Sequence, residues 1–194
     1  MNVYDFDKTI YHRNSTADFL FYCLRRHPRI LKCLPGQLWG FLLYGLKIID
    51  ITEMKRHLYS FLPLLDDVDG DLEDFWDKNI ERVHGWYLQK HRDDDLVISG
   101  SPQFLVEGAC RRLFISHLVA SDVDRKTGEV RRPNCSRAQK ITEMERAGYD
   151  RSQIEEFYSD SHSDDPLAAL AQKAWLVKGE SLEEWGRTAD GTDR

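Results

Sequence analysis

Seven side chains in this sequence have the types and settings that nucleophilic, acid–base or metal chemistry needs. The run MNVYDFDKTI sets Asp5 and Asp7 two positions apart after a short β-like stretch, with Thr9 two further on. Alternate side chains of a strand share a face, so at a strand's end two carboxylates can converge on one point. One can then attack while its neighbour moves protons. The same pattern also suits a plain strand-to-turn exit, where Asp is common. Further on, Ser99 closes the apolar run DDLVIS and leads into Gly100, Ser101 and Pro102, while Lys140 lies in NCSRAQKI. Asp160 and Asp164 lie in YSDSHSDDPL. Singly, each has an ordinary reading: a turn serine, an exposed helix lysine, and caps for a helix that Pro166 helps to start.

The elements that must position these groups fall into three parts. Residues 1–10 read as one strand, about 14–90 as helices, and about 93 onward as alternating strands and helices, the pattern of a parallel α/β sheet. The spacing predicts helices from Asn14 or Ser15 to Arg26, over much of 36–49, from Thr52 to near Pro63, and from Leu72 to Gln89. The acidic stretch Asp66 to Asp71 reads as a solvated turn, since it lacks the twelve-residue pattern of a calcium loop. A small hairpin is expected around Gly128, a last strand in AWLVKG, and a loose tail from about Trp185. The seven groups then fall at or just after the C-terminal ends of strands, where open parallel sheets bind ligands.

Composition narrows the function. The 194 residues suffice for one sizeable core, alone or with an inserted subdomain, and a net charge of -6 without a basic stripe excludes a nonspecific nucleic-acid binder. The four cysteines form no C-x-x-C pair, so no zinc site is expected, and with no signal-peptide pattern the chain reads as reduced and cytoplasmic. The greasy segment Ile30 to Ile49 has an unbroken apolar stretch, Leu38 to Leu46, of about half the roughly 20 residues a bilayer needs. A packed bundle helix is its plain reading. Peripheral membrane contact is the sharper one, because aromatic residues and lysines flank it.

In combination and order these motifs resemble the haloacid dehalogenase superfamily, in particular its phosphoserine phosphatase-like branch. DFDKTI matches D-x-D-x-T, VISGS the second motif, PNCSRAQK the lysine motif, and SDSHSDDPL the pattern D-S-x-S-D-x-P-L, with Asp165 where the branch often carries an apolar or small residue. The resemblance runs from residue 1 to about 180. It implies a Rossmann-like parallel sheet flanked by helices, with a helical-bundle cap of the C1 type. The core would be 1–13 and 91–194, the cap 14–90.

The same resemblance implies roles. Asp5 would be the nucleophile and Asp7 the general acid and base. Ser99 and Lys140 would grip the phosphoryl oxygens, with Thr9 beside them as a phosphate contact or a support for the loop. Asp5, Asp160 and the main-chain carbonyl of Asp7 would bind Mg²⁺, with Asp164 holding that site. A carboxylate at position 7 favours phosphate-ester hydrolysis over dehalogenation. The expected activity is a Mg²⁺-dependent phosphatase acting on a phosphomonoester of a small metabolite, with no protein partner. The alternatives are a lipid-phosphate phosphatase at a membrane surface and a noncatalytic phosphate-binding regulator.

Overall fold

Residues 1–186 are described by a computed structural model. Alternate strand residues face two different cores. Val3, Leu96, Ile98 and Phe157 join one, and Tyr4, Val97 and Tyr158 the other. This period-two split is what a sheet covered on both faces requires. Its strands are β1 (Val3–Tyr4), β2 (Leu96–Pro102), β3 (His117–Ser121), β4 (Glu156–Ser159) and β5 (Lys173–Lys178), all parallel, and β6 (Ser181–Glu184), antiparallel to β5. The spatial order is β3-β2-β1-β4-β5-β6. The chain moves outward from β1 to β3 and returns beyond β1 to β4, so the topological switch point lies between β1 and β4. The tyrosines of these two strands pair in register and stack at 4.6 Å.

Five helices lie between β1 and β2: α1 (Ser15–Arg26), α2 (Leu34–Gly45), α3 (Ile51–Leu58), α4 (Val68–Asn79) and α5 (Gly85–Lys90). The crossovers that follow carry α6 (Gln103–Arg112), α7 (Gln139–Arg146) and α8 (Asp165–Ala168). Side-chain caps fix several starts. Asn14 accepts from the Ala17 amide at 2.9 Å and Asp50 from Glu53 at 2.8 Å, so α3 begins just before Thr52. Among the described residues no helix is long and apolar enough to cross a membrane. All four cysteines are free.

Three expectations need correction. The acidic stretch is no solvated turn: Asp67 caps α4, and buried Asp71 meets His27 at 2.8 Å and Arg26 at 3.2 Å, tying the end of α1 to α4. The helix expected over Leu72 to Gln89 breaks into α4, a 3-10 turn at Ile80–Arg82, and α5. Between them Val83 pairs with Tyr11, and the amides of His12 and His84 donate to Arg82 and Ile10. The apolar stripe survives the break because Phe75, Trp76, Val83 and Tyr87 all enter one core. Finally, Trp185 is docked: its amide bonds Ala174 and its indole donates to Asp165 at 2.9 Å. The rest of the expected loose tail, beyond residue 186, lies outside the described residues.

The helical insertion and the sheet share packing at Gly108 of α6. A Cβ there would sit 2.6 Å from the indole of Trp76, whose Nε1 donates to the Leu105 carbonyl at 2.8 Å. Gly108→Ala therefore overpacks this contact. A loss of about 1–3 kcal/mol is expected in urea unfolding, with an unchanged slope.

Candidate active site

After β1 the chain continues its pairing for one residue, the Asp5 amide donating to Tyr158 at 2.8 Å, and then winds tightly. The amides of Thr9, Ile10 and Tyr11 all turn to the Phe6 carbonyl, at 3.4, 3.0 and 2.9 Å. Lys8 holds the left-handed conformation this turn needs, with φ 60°. The winding leaves the side chains of Asp5 and Asp7 with different partners.

Asp5 lies at the switch point between β1 and β4. Lys140, the second residue of α7, is buried and donates from Nζ to Asp5 Oδ1 at 2.6 Å and to Asp164 Oδ2 at 2.7 Å. Ser159, the last residue of β4, donates to the same Asp164 oxygen at 2.8 Å. Asp5 exposes only 12% of its side chain. Burial pushes its carboxyl up to about 7, and Asp164 adds to the push, outweighing the pull of Lys140. The Lys140 ammonium loses some stability to burial, but Asp5 and Asp164 more than restore it and hold its pKa above the usual lysine value. Two carboxylates thus share one ammonium. Asp160, just beyond, is held above the usual carboxylate range by burial, with the Lys8 ammonium 4.0 Å away. The cluster is short of positive charge.

Asp7 is held from both sides. The Ser15 amide at the start of α1 donates to Oδ1 at 2.6 Å, and the Ser101 hydroxyl donates to Oδ2 at 2.5 Å. Thr16 lies 2.8 Å from that hydroxyl. Ser99, fully buried, accepts from the Ser101 amide at 3.0 Å, leaving its own proton to donate elsewhere. Thr9 is fully buried and its hydroxyl has no partner among the described residues. The structure therefore joins Asp5, Lys140 and Asp164 directly and links Asp7 to Ser99 through Ser101. Asp160 stands at the edge of this group, and Thr9 bonds to none of it. His162, at the variable position of the last motif, sits apart, 3.1 Å from Asp165.

Two further residues join the group. Ser101 stands two residues after Ser99 on the same strand, and the sequence offers it as a pocket-lining neighbour of that motif. Lys55 carried no such signal and went unread. It projects from α3, donates from Nζ to the Gly100 carbonyl, and feels Asp7 and Asp5. Burial lowers its pKa to about 8 despite those carboxylates. A cation from the helical insertion thus reaches the strand end that carries Ser99 and Ser101.

The sequence model of the haloacid dehalogenase-like hydrolases matches residues 3–169. No curated protein matches in sequence. Among solved structures, a Bordetella pertussis Tohama I protein of unknown function is similar with TM-score 0.74 and 19% identity, over 90% of this chain and 87% of that one. A phosphoserine phosphohydrolase-like protein from Francisella tularensis is similar with TM-score 0.55 and 17% identity, over 90% and 86%. At these identities the likeness concerns the fold.

Proposed function

The chain belongs to the haloacid dehalogenase-like hydrolases, and from that premise we propose that it is a Mg²⁺-dependent phosphomonoesterase working through an aspartyl-phosphate on Asp5. The observation that carries this reading is the buried Asp5–Lys140–Asp164 triad beside a doubly held Asp7. A carboxylate nucleophile approaching a phosphate dianion faces like-charge repulsion, about 4 kcal/mol per unit pair at 4 Å and an effective dielectric of 20. Lys140 offsets part of that, and Ser99 has a hydroxyl proton to give the phosphoryl oxygens.

The donor set fits a small hard cation. The carboxylates of Asp5 and Asp160 and the main-chain carbonyl of Asp7 are hard oxygen donors beside a site that is short of positive charge, and they would hold Mg²⁺. Asp164, engaged by Lys140 and Ser159, would support the site from behind. When bound, the ion would neutralise phosphoryl charge and orient the ester.

Asp5 attacks phosphorus and the ester P–O bond breaks, Asp7 giving its proton to the departing oxygen. Asp7 then takes a proton from water, which attacks the aspartyl-phosphate, releases inorganic phosphate and regenerates Asp5. The Ser15 amide and Ser101 keep Asp7 aimed through both steps, a constraint that a noncatalytic phosphate-binding regulator would not need. Residues 14–90 act as a cap on a core of residues 1–13 and 91 onward. Because Asp5, Ser99 and Lys140 are buried, substrate enters when that cap lifts.

The test is release of inorganic phosphate from a panel of phosphomonoesters with Mg²⁺ or EDTA. Metal-dependent turnover is expected, and no turnover on any ester overturns the reading. Lys55 makes a second expectation. Its ammonium loses its proton as pH rises through about 8, so kcat/KM falls on that alkaline limb. Lys55→Met lowers kcat/KM by roughly 10- to 100-fold, and Lys55→Arg, which keeps its charge, moves the limb to higher pH. A limb unchanged in Lys55→Arg assigns the titration to another group.

A further inference from the structure

Helix α2 is held to the protein by a narrow stripe. Gly40 packs so closely on His57 of α3 that a Cβ would lie 2.5 Å from the imidazole's own Cβ. Buried Gln37 donates to the Leu58 carbonyl at 2.8 Å. The remaining surface of α2 and the turn after it is apolar and faces outward. Leu38 is 67% exposed and Trp39 55%, and Phe41, Leu42, Leu46 and Ile48 are exposed with them. Scattered exposed leucines need no explanation, but a run of this size on one element marks an interaction surface. Here the notable point is its charge. Residues 25–49 contain five Lys or Arg and no Asp or Glu, in a chain whose net charge is -6; Arg26 and Arg29 are paired with Asp71, Asp74 and Asp66 of the next segment, which leaves three. Arg25, Lys32 and Lys47 are exposed and meet no carboxylate among the described residues. Lys47 holds φ 58°, and the Ile48 amide returns to the Leu43 carbonyl at 2.9 Å, folding Ile48 back toward the end of α2.

We propose that α2 and its flanking turns dock on an anionic lipid surface, and that the site acts on a phosphomonoester carried by a lipid in that surface. At 12 residues α2 is about 18 Å long, too short for a hydrocarbon core of about 30 Å, so it lies in the interface and does not cross. Exposed apolar side chains would enter the headgroup boundary, Trp39 and Tyr44 would sit at headgroup depth, and Lys32 and Lys47 at the two ends would meet lipid phosphates. A second copy of the chain fits less well, because a two-fold contact sets the lysines of one copy near those of the other. The docking face lies one helix from the chemistry. In α3, His57 supports Gly40 and Lys55 reaches Gly100. The substrate class rests on the phosphomonoesterase reading; the docking does not.

The test is sedimentation with vesicles of phosphatidylcholine alone or mixed with phosphatidylglycerol, beside rates on phosphatidate vesicles and on p-nitrophenyl phosphate. The wild-type chain should sediment with anionic vesicles at low salt and be released by high salt. Leu38→Glu with Leu42→Glu should weaken binding roughly 100-fold, and Lys32→Glu with Lys47→Glu roughly 10-fold or more. Both pairs should slow phosphatidate hydrolysis while leaving p-nitrophenyl phosphate turnover unchanged. Absence of binding to anionic vesicles at low salt overturns the docking, as does a stable dimer that the leucine substitutions dissociate. Equal slowing on both esters overturns the lipid substrate. Vesicle binding without turnover of any ester supports the docking and overturns the phosphomonoesterase reading instead.

Discussion

Asp5→Asn eliminates phosphate release, by about 10⁴-fold or more, while the protein still folds. The amide cannot attack phosphorus as a carboxylate does, and the neighbouring carboxylates are otherwise engaged or placed: Asp164 is held by Lys140 and Ser159, Asp7 by Ser15 and Ser101, and Asp160 stands at the edge of the group facing Lys8. The fold should tolerate the change because Asn keeps the shape of Asp. It also leaves Lys140 with Asp164 at 2.7 Å, one carboxylate for one ammonium where there were two. Equilibrium unfolding in EDTA should therefore place Asp5→Asn at or above the wild-type stability at neutral pH. Phosphate-release assays measure the other half. Residual turnover within 10-fold of wild type, on any ester, would remove Asp5 from the nucleophile's role.

This separation of chemistry from folding also explains what the sequence disclosed. Singly, Asp5, Asp7, Ser99, Lys140 and Asp164 have ordinary readings; their joint order and the family resemblance it carries made them candidates, and parallel topology brings Asp5, Lys140 and Asp164 together. The sheet was legible locally: its strands are short apolar runs punctuated by turn residues. Lys55 was not, since what distinguishes it is a contact made between α3 and β2, far apart in sequence. The same holds for Asp71, which looks like a solvated acid until His27 and Arg26 arrive from α1. The break at residues 80–83 escaped because a helical stripe and a strand crossing one core can present the same apolar residues. In α2 the local reading of a packed helix holds for one stripe only. The composition suits a core, yet the fold fully buries only Gln37 and Gly40 of this helix.

Lys140→Met produces the second large effect, and it should strike stability and turnover together. Removing the ammonium leaves Asp5 and Asp164 facing one another in a buried site with no cation between them. Breaking a buried pair in this way costs about 3–5 kcal/mol. The loss should be largest at alkaline pH. Acidification lets one carboxylate take a proton, so the gap between variant and wild type narrows as pH falls; urea midpoints at pH 5 and pH 8 without divalent cation would show it. Turnover should drop by roughly 10²–10³-fold or more, because the same ammonium neutralises the phosphoryl group as charge spreads in the transition state. The two roles can be uncoupled. Adding Asp164→Asn to Lys140→Met removes one of the stranded carboxylates and should restore much of the lost stability, a coupling readable in a double-mutant cycle. It returns no cation to the phosphate, so turnover should stay low. Recovery of both together would mean that Lys140 serves only to hold the fold, and the charge argument for its place in the chemistry would fail.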